Sequence, residues 1–331
     1  MATVLVTGGA GFMGSHVADA LLALGHEVVV FDDLSGGFAE NVPEAARFVE
    51  GDVADPAAVA RVFADHPIEY VWHLAAYAAE GLSHFIRRFN YTNNLIGSVN
   101  LVNESVTRDV KCFAFASSIA VYGAIDPPMR ESDTPRPEDP YGIAKLAVEQ
   151  DLAAAHEMFG LDTLVFRPHN VYGERQNIGD RYRNVVGIFM NCAMQGKALP
   201  VFGDGEQQRA FTHIDDVAPV LARALFEPGA YNEVYNVGAD EPVTVNRLAG
   251  VVREAMGADV PVERLAARSE VKLAWSDHAK LRERLGYAPS ISIEDGIRRT
   301  AAWAKEHGAR RSKSFGALEV ERNLPPSWRD A

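Results

Sequence analysis

With 331 residues, 47% of them hydrophobic, the chain has apolar material for a sizeable core, and its length suits a main domain with a smaller second lobe. A net charge of −13 argues against nucleic acid or an anionic membrane as partner, so any bound phosphate must be held by a few local arginines. The two cysteines, Cys112 in an expected strand and Cys192 in an expected helix, read as small buried hydrophobes in a reducing compartment rather than a disulfide. There is no basic leader and no apolar run long enough to cross a bilayer, so the expectation is a soluble, cytoplasmic protein.

In chain order, Val4-Leu5-Val6 reads as a strand, Thr7-Gly8-Gly9-Ala10-Gly11-Phe12-Met13-Gly14 as a glycine turn, and Ser15 to Leu24 as a helix with apolar residues at helical spacing. Glycines at such a turn let the backbone approach a pyrophosphate closely, beside the partial positive charge of the helix N-terminus. A second strand, Glu27 to Phe31, ends in Asp32-Asp33, where a carboxylate can hold ribose hydroxyls and repel a 2′-phosphate, so NAD is favoured over NADP. Strands are further expected at Arg47 to Val53, Ile68 to Ala76 and Lys111 to Ser118, with amphipathic helices between them. That alternation predicts an α/β fold, a Rossmann-type doubly wound parallel sheet with its ligand crevice at the carboxyl ends of the strands, where Gly8, Asp32, Asp52, Ala75 and Ser118 lie. After Arg167-Pro168-His169-Asn170 the composition turns loop-rich from Tyr172 to Arg183. The expected division is a dinucleotide-binding domain over 1–171, with a returning segment about 210–240 that includes the strand Val234 to Gly238, and a smaller mixed α/β substrate lobe over 172–209 and 241–331.

Tyr141 and Lys145, in Tyr141-Gly142-Ile143-Ala144-Lys145, lie one helical turn apart on one face, where an ammonium can favour the ionised phenol. A tyrosine needs such help to act as a base near neutral pH. Ser118, ending a buried strand, adds a hydroxyl able to hydrogen-bond a substrate hydroxyl and its carbonyl product. Serine, tyrosine and lysine then form one proton-transfer unit.

These motifs resemble, over nearly the whole chain, the extended short-chain dehydrogenase/reductases, specifically their NAD-dependent nucleotide-sugar epimerases and dehydratases, with the UDP-sugar 4-epimerases as nearest type. The resemblance implies that Gly8, Gly11, Phe12, Met13 and Gly14 surround the pyrophosphate. It places Asp32 at the adenosine ribose, with Asp33, Ser35 and Gly36 in the same cofactor-binding set, and Asp52 and Val53 at the adenine. Leu74, Ala75, Ala76 and Ser117 would line the cofactor, Asn93 would support the active-site backbone, Tyr141 and Lys145 would also reach the nicotinamide ribose, and Pro168 would lie near the nicotinamide. On the substrate side it implies Asn170 at the sugar diphosphate and Asn184 with Val185 near the nucleotide. Val201 and Phe202 would form the base-binding strand, Arg209 and Arg268 would hold the diphosphate through guanidinium forks, and Glu270 would contact a ribose. Ala79 and Glu80 border the expected sugar pocket.

Family dehydratases carry an Asp-Glu pair after the serine or threonine, and the decarboxylases a nearby glutamate; here Ile119 and Ala120 stand there. The remaining economical reaction is epimerisation at C4 of a UDP-hexose or UDP-hexuronic acid through a transient 4-keto sugar, with Tyr141 as base. Arg175, Arg181 and Arg183 are either partners for a sugar carboxylate or solvated charges. The alternatives are a decarboxylase, dehydratase or 3,5-epimerase, for which His169 and Cys192 are the spare reactive groups, and a non-catalytic dinucleotide sensor. Apolar stripes on Asn93 to Val106 and Tyr141 to Met158 lead to an expected homodimer. The tail from Ala309 to Ala331 is unexplained by these motifs.

Overall fold

Strands with few polar interruptions can be covered on both faces, and the central sheet uses them in that way. The computed structural model describes residues 1–267, 271–311 and 315–329. Its main sheet comprises β1 (Thr3–Thr7), β2 (Glu27–Asp32), β3 (Arg47–Glu50), β4 (Tyr70–His73), β5 (Cys112–Ala116), β6 (Thr163–Pro168) and a seventh strand, Glu233–Val237. All pair in parallel, in the order Glu233–Val237, β6, β5, β4, β1, β2, β3. The order reverses between β1 and β4, which is where a crevice forms outside the carboxyl ends of a doubly wound sheet.

Alternate residues of each strand feed opposite faces. Val4, Val6, Val28, Val30, Trp72 and Phe166 face α1 (Phe12–Ala23) and the helix Ile214–Ala224. Leu5, Val29, Phe31, Val71, Phe113 and Phe115 face the helices Pro56–Asp65, Gly97–Thr107 and Pro140–Phe159. Trp72, fully buried, satisfies its indole N–H on the Leu221 carbonyl at 3.0 Å. β4 is shorter than the run Ile68 to Ala76 suggests: Leu74 makes the last backbone bond to β1, its N–H donating to the Thr7 carbonyl at 3.1 Å, and Ala75 then passes beside the glycine turn.

A separate apolar cluster sits beyond residue 171. Phe189, Leu248, Val252 and Ile297, from the helices Val185–Met194, Val245–Met256 and Ile293–His307, pack with Leu199 and Val201. Leu199–Phe202 pairs in parallel with Val262–Leu265. Gln208–Ala210, the strand bearing Arg209, lies between Pro242–Thr244 and Leu273–Ala274. Cys112 is buried, Cys192 half-buried, and both are free thiols. Among the described residues no helix is long and apolar enough to cross a membrane.

One buried ion pair fixes the two strands beneath the crevice. Glu149, on the helix Pro140–Phe159, receives Nε of Arg167 at 2.9 Å and its Nη2 at 2.5 Å, and it also accepts the Ser117 hydroxyl. Arg167 further lies 4.7 Å over the Tyr122 ring. Removing one partner strands the other charge. Arg167→Met is therefore expected to cost about 3–5 kcal/mol, with part recovered in the double variant Arg167→Met/Glu149→Leu. Urea unfolding of the three proteins is the check, and equal stability of single variant and parent would remove this pair from the account.

Candidate active site

At the carboxyl ends of the strands a cavity of about 930 Å³ runs from the glycine turn to the second lobe. Its first wall is built by close backbone approach. Gly8 has φ +70°, and a Cβ there would lie 2.7 Å from the Ala75 nitrogen. A Cβ on Gly14 would lie 2.1 Å from the Gly8 carbonyl oxygen. No side chain fits at either position, and Gly11, the N-cap of α1, leaves the first helical N–H groups facing the cavity without a side-chain cap. Asp32 is buried and accepts the Ala10 N–H at 3.0 Å and the Leu34 N–H at 2.8 Å. Burial raises its carboxyl above the usual range, with these N–H bonds opposing the shift. Asp33 is exposed and accepts from the backbone N–H and hydroxyl of Ser35. A glycine cradle, an uncapped helix start and a carboxylate at the end of the next strand fit a dinucleotide with a free ribose diol.

All the cofactor-side residues expected from the sequence line this cavity: Gly8, Gly11, Phe12, Met13 and Gly14; Asp32, Asp33, Ser35 and Gly36; Asp52, Val53, Leu74, Ala75 and Ala76; and Asn93, Ser117, Tyr141, Lys145 and Pro168. Two differ in detail. Ser117 spends its hydroxyl on Glu149. The backbone support assigned to Asn93 is made by its neighbour Asn94, which accepts the Tyr77 N–H at 2.9 Å and donates to the Tyr77 carbonyl at 3.1 Å. The turn Thr92–Ile96 is π-helical, and it turns Asn94 inward, where it is 1% exposed, while Asn93 faces the cavity.

The chemistry-bearing residues meet on the helix Pro140–Phe159. Asp139 caps it, accepting the N–H groups of Tyr141 and Gly142 at 2.9 and 3.0 Å. Tyr141 and Lys145 are both buried. The Lys145 ammonium lies 5.8 Å from the Tyr141 ring centre and donates to the Ala116 carbonyl at 2.7 Å. Burial pushes Lys145 down to about 7, opposed by Glu149. Burial raises the Tyr141 phenol, the Glu80 charge adds to this, and a hydrogen bond with Ser118 together with the Arg183 charge opposes it. The support that the sequence expects Lys145 to give the ionised phenol competes with two things: the ammonium is engaged by Ala116, and its own charge is made costly by burial. Ser118 accepts the Ala120 N–H at 3.1 Å, so the same hydroxyl caps the turn Ile119–Tyr122 and addresses Tyr141.

On the far side, Glu80, Ser118, Asn170, Asn184, Val185, Phe202 and Arg209 line the same cavity. Asn170 and Asn184 take left-handed φ values of 41° and 48°. Arg209 is held by the carbonyls of Gln208, Lys272 and Val271. Ala79 and Val201 are buried in apolar clusters and do not line the cavity: Val201 faces inward by strand alternation, and Ala79, the residue before the short helix Glu80–Ser83, packs with Leu82, Ile86 and Trp328. Arg268 and Glu270 lie outside the described residues. Arg183 pairs with Asp180 at 2.7 Å and stacks 4.6 Å over Tyr77, whereas Arg175 pairs with Asp19 away from the cavity. His169 faces the Ala210 carbonyl at 3.2 Å and His278 at 3.1 Å, and burial pushes it down to about 3. Burial likewise raises the Cys192 thiol. Ile119 and Ala120 present no acid to the cavity. Tyr77, Asp180, Tyr182 and Trp328 are lining residues that the motifs did not mark.

The model of the NAD dependent epimerase/dehydratase family matches residues 4–238. The chain is 34% identical to a UDP-glucose 4-epimerase of Mycolicibacterium smegmatis over 304 residues, 89% of this chain and 96% of that one. The crystal structure of a UDP-glucose 4-epimerase from Thermotoga maritima with UDP-glucose superposes with a TM-score of 0.87 at 37% identity, covering 92% and 99% of the two chains. That of a Thermus thermophilus UDP-glucose 4-epimerase in complex with NAD gives 0.85 at 33% identity, covering 91% and 98%.

Proposed function

As this chain belongs to the NAD dependent epimerase/dehydratase family and is an NAD-dependent nucleotide-sugar epimerase, we propose that its substrate is a neutral UDP-hexose inverted at C4. The observation that carries the neutral sugar is charge. Near Tyr141 the cavity carries Glu80, and the cationic neighbour Arg183 is already paired with Asp180. A sugar carboxylate would meet the like charge of Glu80 beside Tyr141; of the three candidate arginines, Arg175 is paired with Asp19, Arg183 with Asp180, and Arg181 lines the cavity stacked 5.7 Å over the Tyr182 ring.

In this reading Tyr141 takes the proton of the C4 hydroxyl and later returns it, while Ser118 hydrogen-bonds the same oxygen in hydroxyl and carbonyl forms. NAD, when bound, supplies a hydride acceptor that gives the hydride back, and in its oxidised form a positive charge that favours the phenolate. Lys145, anchored on Ala116, holds the floor beneath the phenol and lies 4.6 Å from the Phe115 ring centre. Gly8, Gly11, Gly14 and Asp32 hold the dinucleotide, and Asn170, Asn184 and Arg209 the diphosphate and nucleotide. The boundary between dinucleotide domain and substrate lobe near residue 171 belongs to the same proposal, supported by the separate apolar cluster beyond it. So does a homodimer, supported by Ile96, Ile143 and Met158, which are exposed along the two expected stripes, and by the adjoining exposed Phe159. Light scattering should give twice the mass of one chain, and a monomer at working concentration would remove this part.

The direct test is proton NMR of UDP-glucose incubated with the purified protein and no added cofactor. The galacto-configured product is expected, and Tyr141→Phe should lower kcat by about 10²–10⁴-fold with bound NAD retained. A pentose product, a stable 4-keto sugar, or turnover of UDP-glucuronic acid alone would overturn the reading. Because the Glu80 charge holds the phenol up, Glu80→Gln should lower the phenol pKa. The acidic limb of kcat/KM, where Tyr141 must lose its proton, should then move to lower pH; a move upward, or none, would show that the two groups are not coupled.

A further inference from the structure

The segment Phe315–Trp328 is the one described stretch of the tail that the dinucleotide fold does not need, yet it is built into the wall of the cavity. Phe315 packs on Tyr77 and Phe89, with ring centres 5.3 and 4.9 Å apart. Leu318 and Leu324 join Ala79, Leu82 and Ile86 in one apolar cluster. The Glu319 carboxylate accepts the N–H groups of Arg88 and Phe89 at 2.7 and 2.9 Å, and the Glu319 N–H donates to the Phe85 carbonyl at 2.8 Å. These contacts deliver Trp328. Its indole, with the residue only 8% exposed, meets Phe85 and Tyr182 edge-on at 6.0 and 5.2 Å, and its outer carbon lies 3.2 Å from where a Cβ on Gly81 would stand.

Position then fixes the ligand. Trp328, Gly81, Glu80, Tyr182 and Tyr141 line one cavity. The C4 hydroxyl must reach Tyr141, and Glu80, whose charge is felt at that phenol, adjoins the glycine that Trp328 covers. The sugar, rather than the nucleotide, therefore occupies the Trp328 end. A hexose presents C–H bonds on its faces, and an indole beside a tyrosine ring offers it apolar surface.

Resting on the nucleotide-sugar reading above, we infer that Trp328 is a specificity-determining residue of the hexose subsite, delivered by the C-terminal segment. The test compares UDP-glucose and UDP binding to the NAD-loaded protein by calorimetry, with KM and kcat alongside. Trp328→Ala should weaken UDP-glucose by about ten-fold and raise KM more than it lowers kcat, with UDP affinity unchanged, and Trp328→Phe should recover most of the loss. Equal weakening of both ligands, no change in either, or failure of Phe to recover what Ala loses would overturn the inference. If the parent protein binds UDP-glucose no better than UDP and turns over no UDP-hexose, it is the functional reading that fails. If it does both and the variants match it, only the role of Trp328 fails.

Discussion

The site depends on one constraint: a single face of the helix Pro140–Phe159 carries Tyr141, Lys145 and Glu149 into the protein at successive turns. Three ionisable groups in a row would not be tolerated in an apolar setting without partners. Each is answered from the sheet. Ala116 accepts from Lys145, Ser117 and Arg167 hold Glu149, and Ser118 addresses Tyr141. Three consecutive residues at the end of β5 thus receive three consecutive turns of the helix. The register between strand and helix sets where the phenol stands, and the buried Glu149–Arg167 pair locks that register to β6.

The glycine turn imposes the complementary constraint from the other edge. Gly8 touches the backbone of Ala75 and Gly14 touches Gly8, so β1, α1 and the end of β4 meet without side chains between them. That contact sits where the chain leaves the ladder after Leu74, at the edge of the cavity that Tyr141 lines. The cavity therefore arises from backbone packing at the sheet's switch point, and the second lobe closes it.

Much of this was legible in the sequence, because glycines that permit no Cβ, an acid closing the next strand and a Tyr-x-x-x-Lys turn each have few structural uses. The parallel sheet followed from strands with little polar interruption. What escaped had a physical cause in each case. Asn93 and Asn94 cannot be distinguished by spacing when the turn carrying them is π-helical, so the inward residue was misassigned. Ala79 and Val201 sit one residue from cavity-lining neighbours, Glu80 and Phe202; strand alternation turns Val201 into the core, and Ala79 packs there against Leu82 and Ile86. The balance between Tyr141 and Lys145 depends on burial and on the Ala116 carbonyl, which no motif records. Trp328 joins the site through tertiary contacts more than 200 residues distant in sequence, such as Glu319 on Arg88.

The two ends of the cavity differ in how they hold what they touch, and the difference suits the reaction. At one end, which the proposal gives to the nucleotide, Arg209 is fixed by three carbonyls, Asn184 bonds the Val171 carbonyl at 2.9 Å, and His169 is pinned between Ala210 and His278. These groups are rigid and polar, and they favour one pose. At the other end, Tyr77, Tyr182 and Trp328 present rings. Epimerisation at one carbon requires the keto sugar to show both faces to a cofactor and a tyrosine that do not move. On the proposed reading Ser118, Tyr141 and Glu80 supply the polar contacts near C4, while the aromatic walls hold the rest of the ring to neither face by directional bonds. On the proposed reading, firm nucleotide binding and loose sugar binding are two requirements of one mechanism, and residues from both sides of residue 171 build each end.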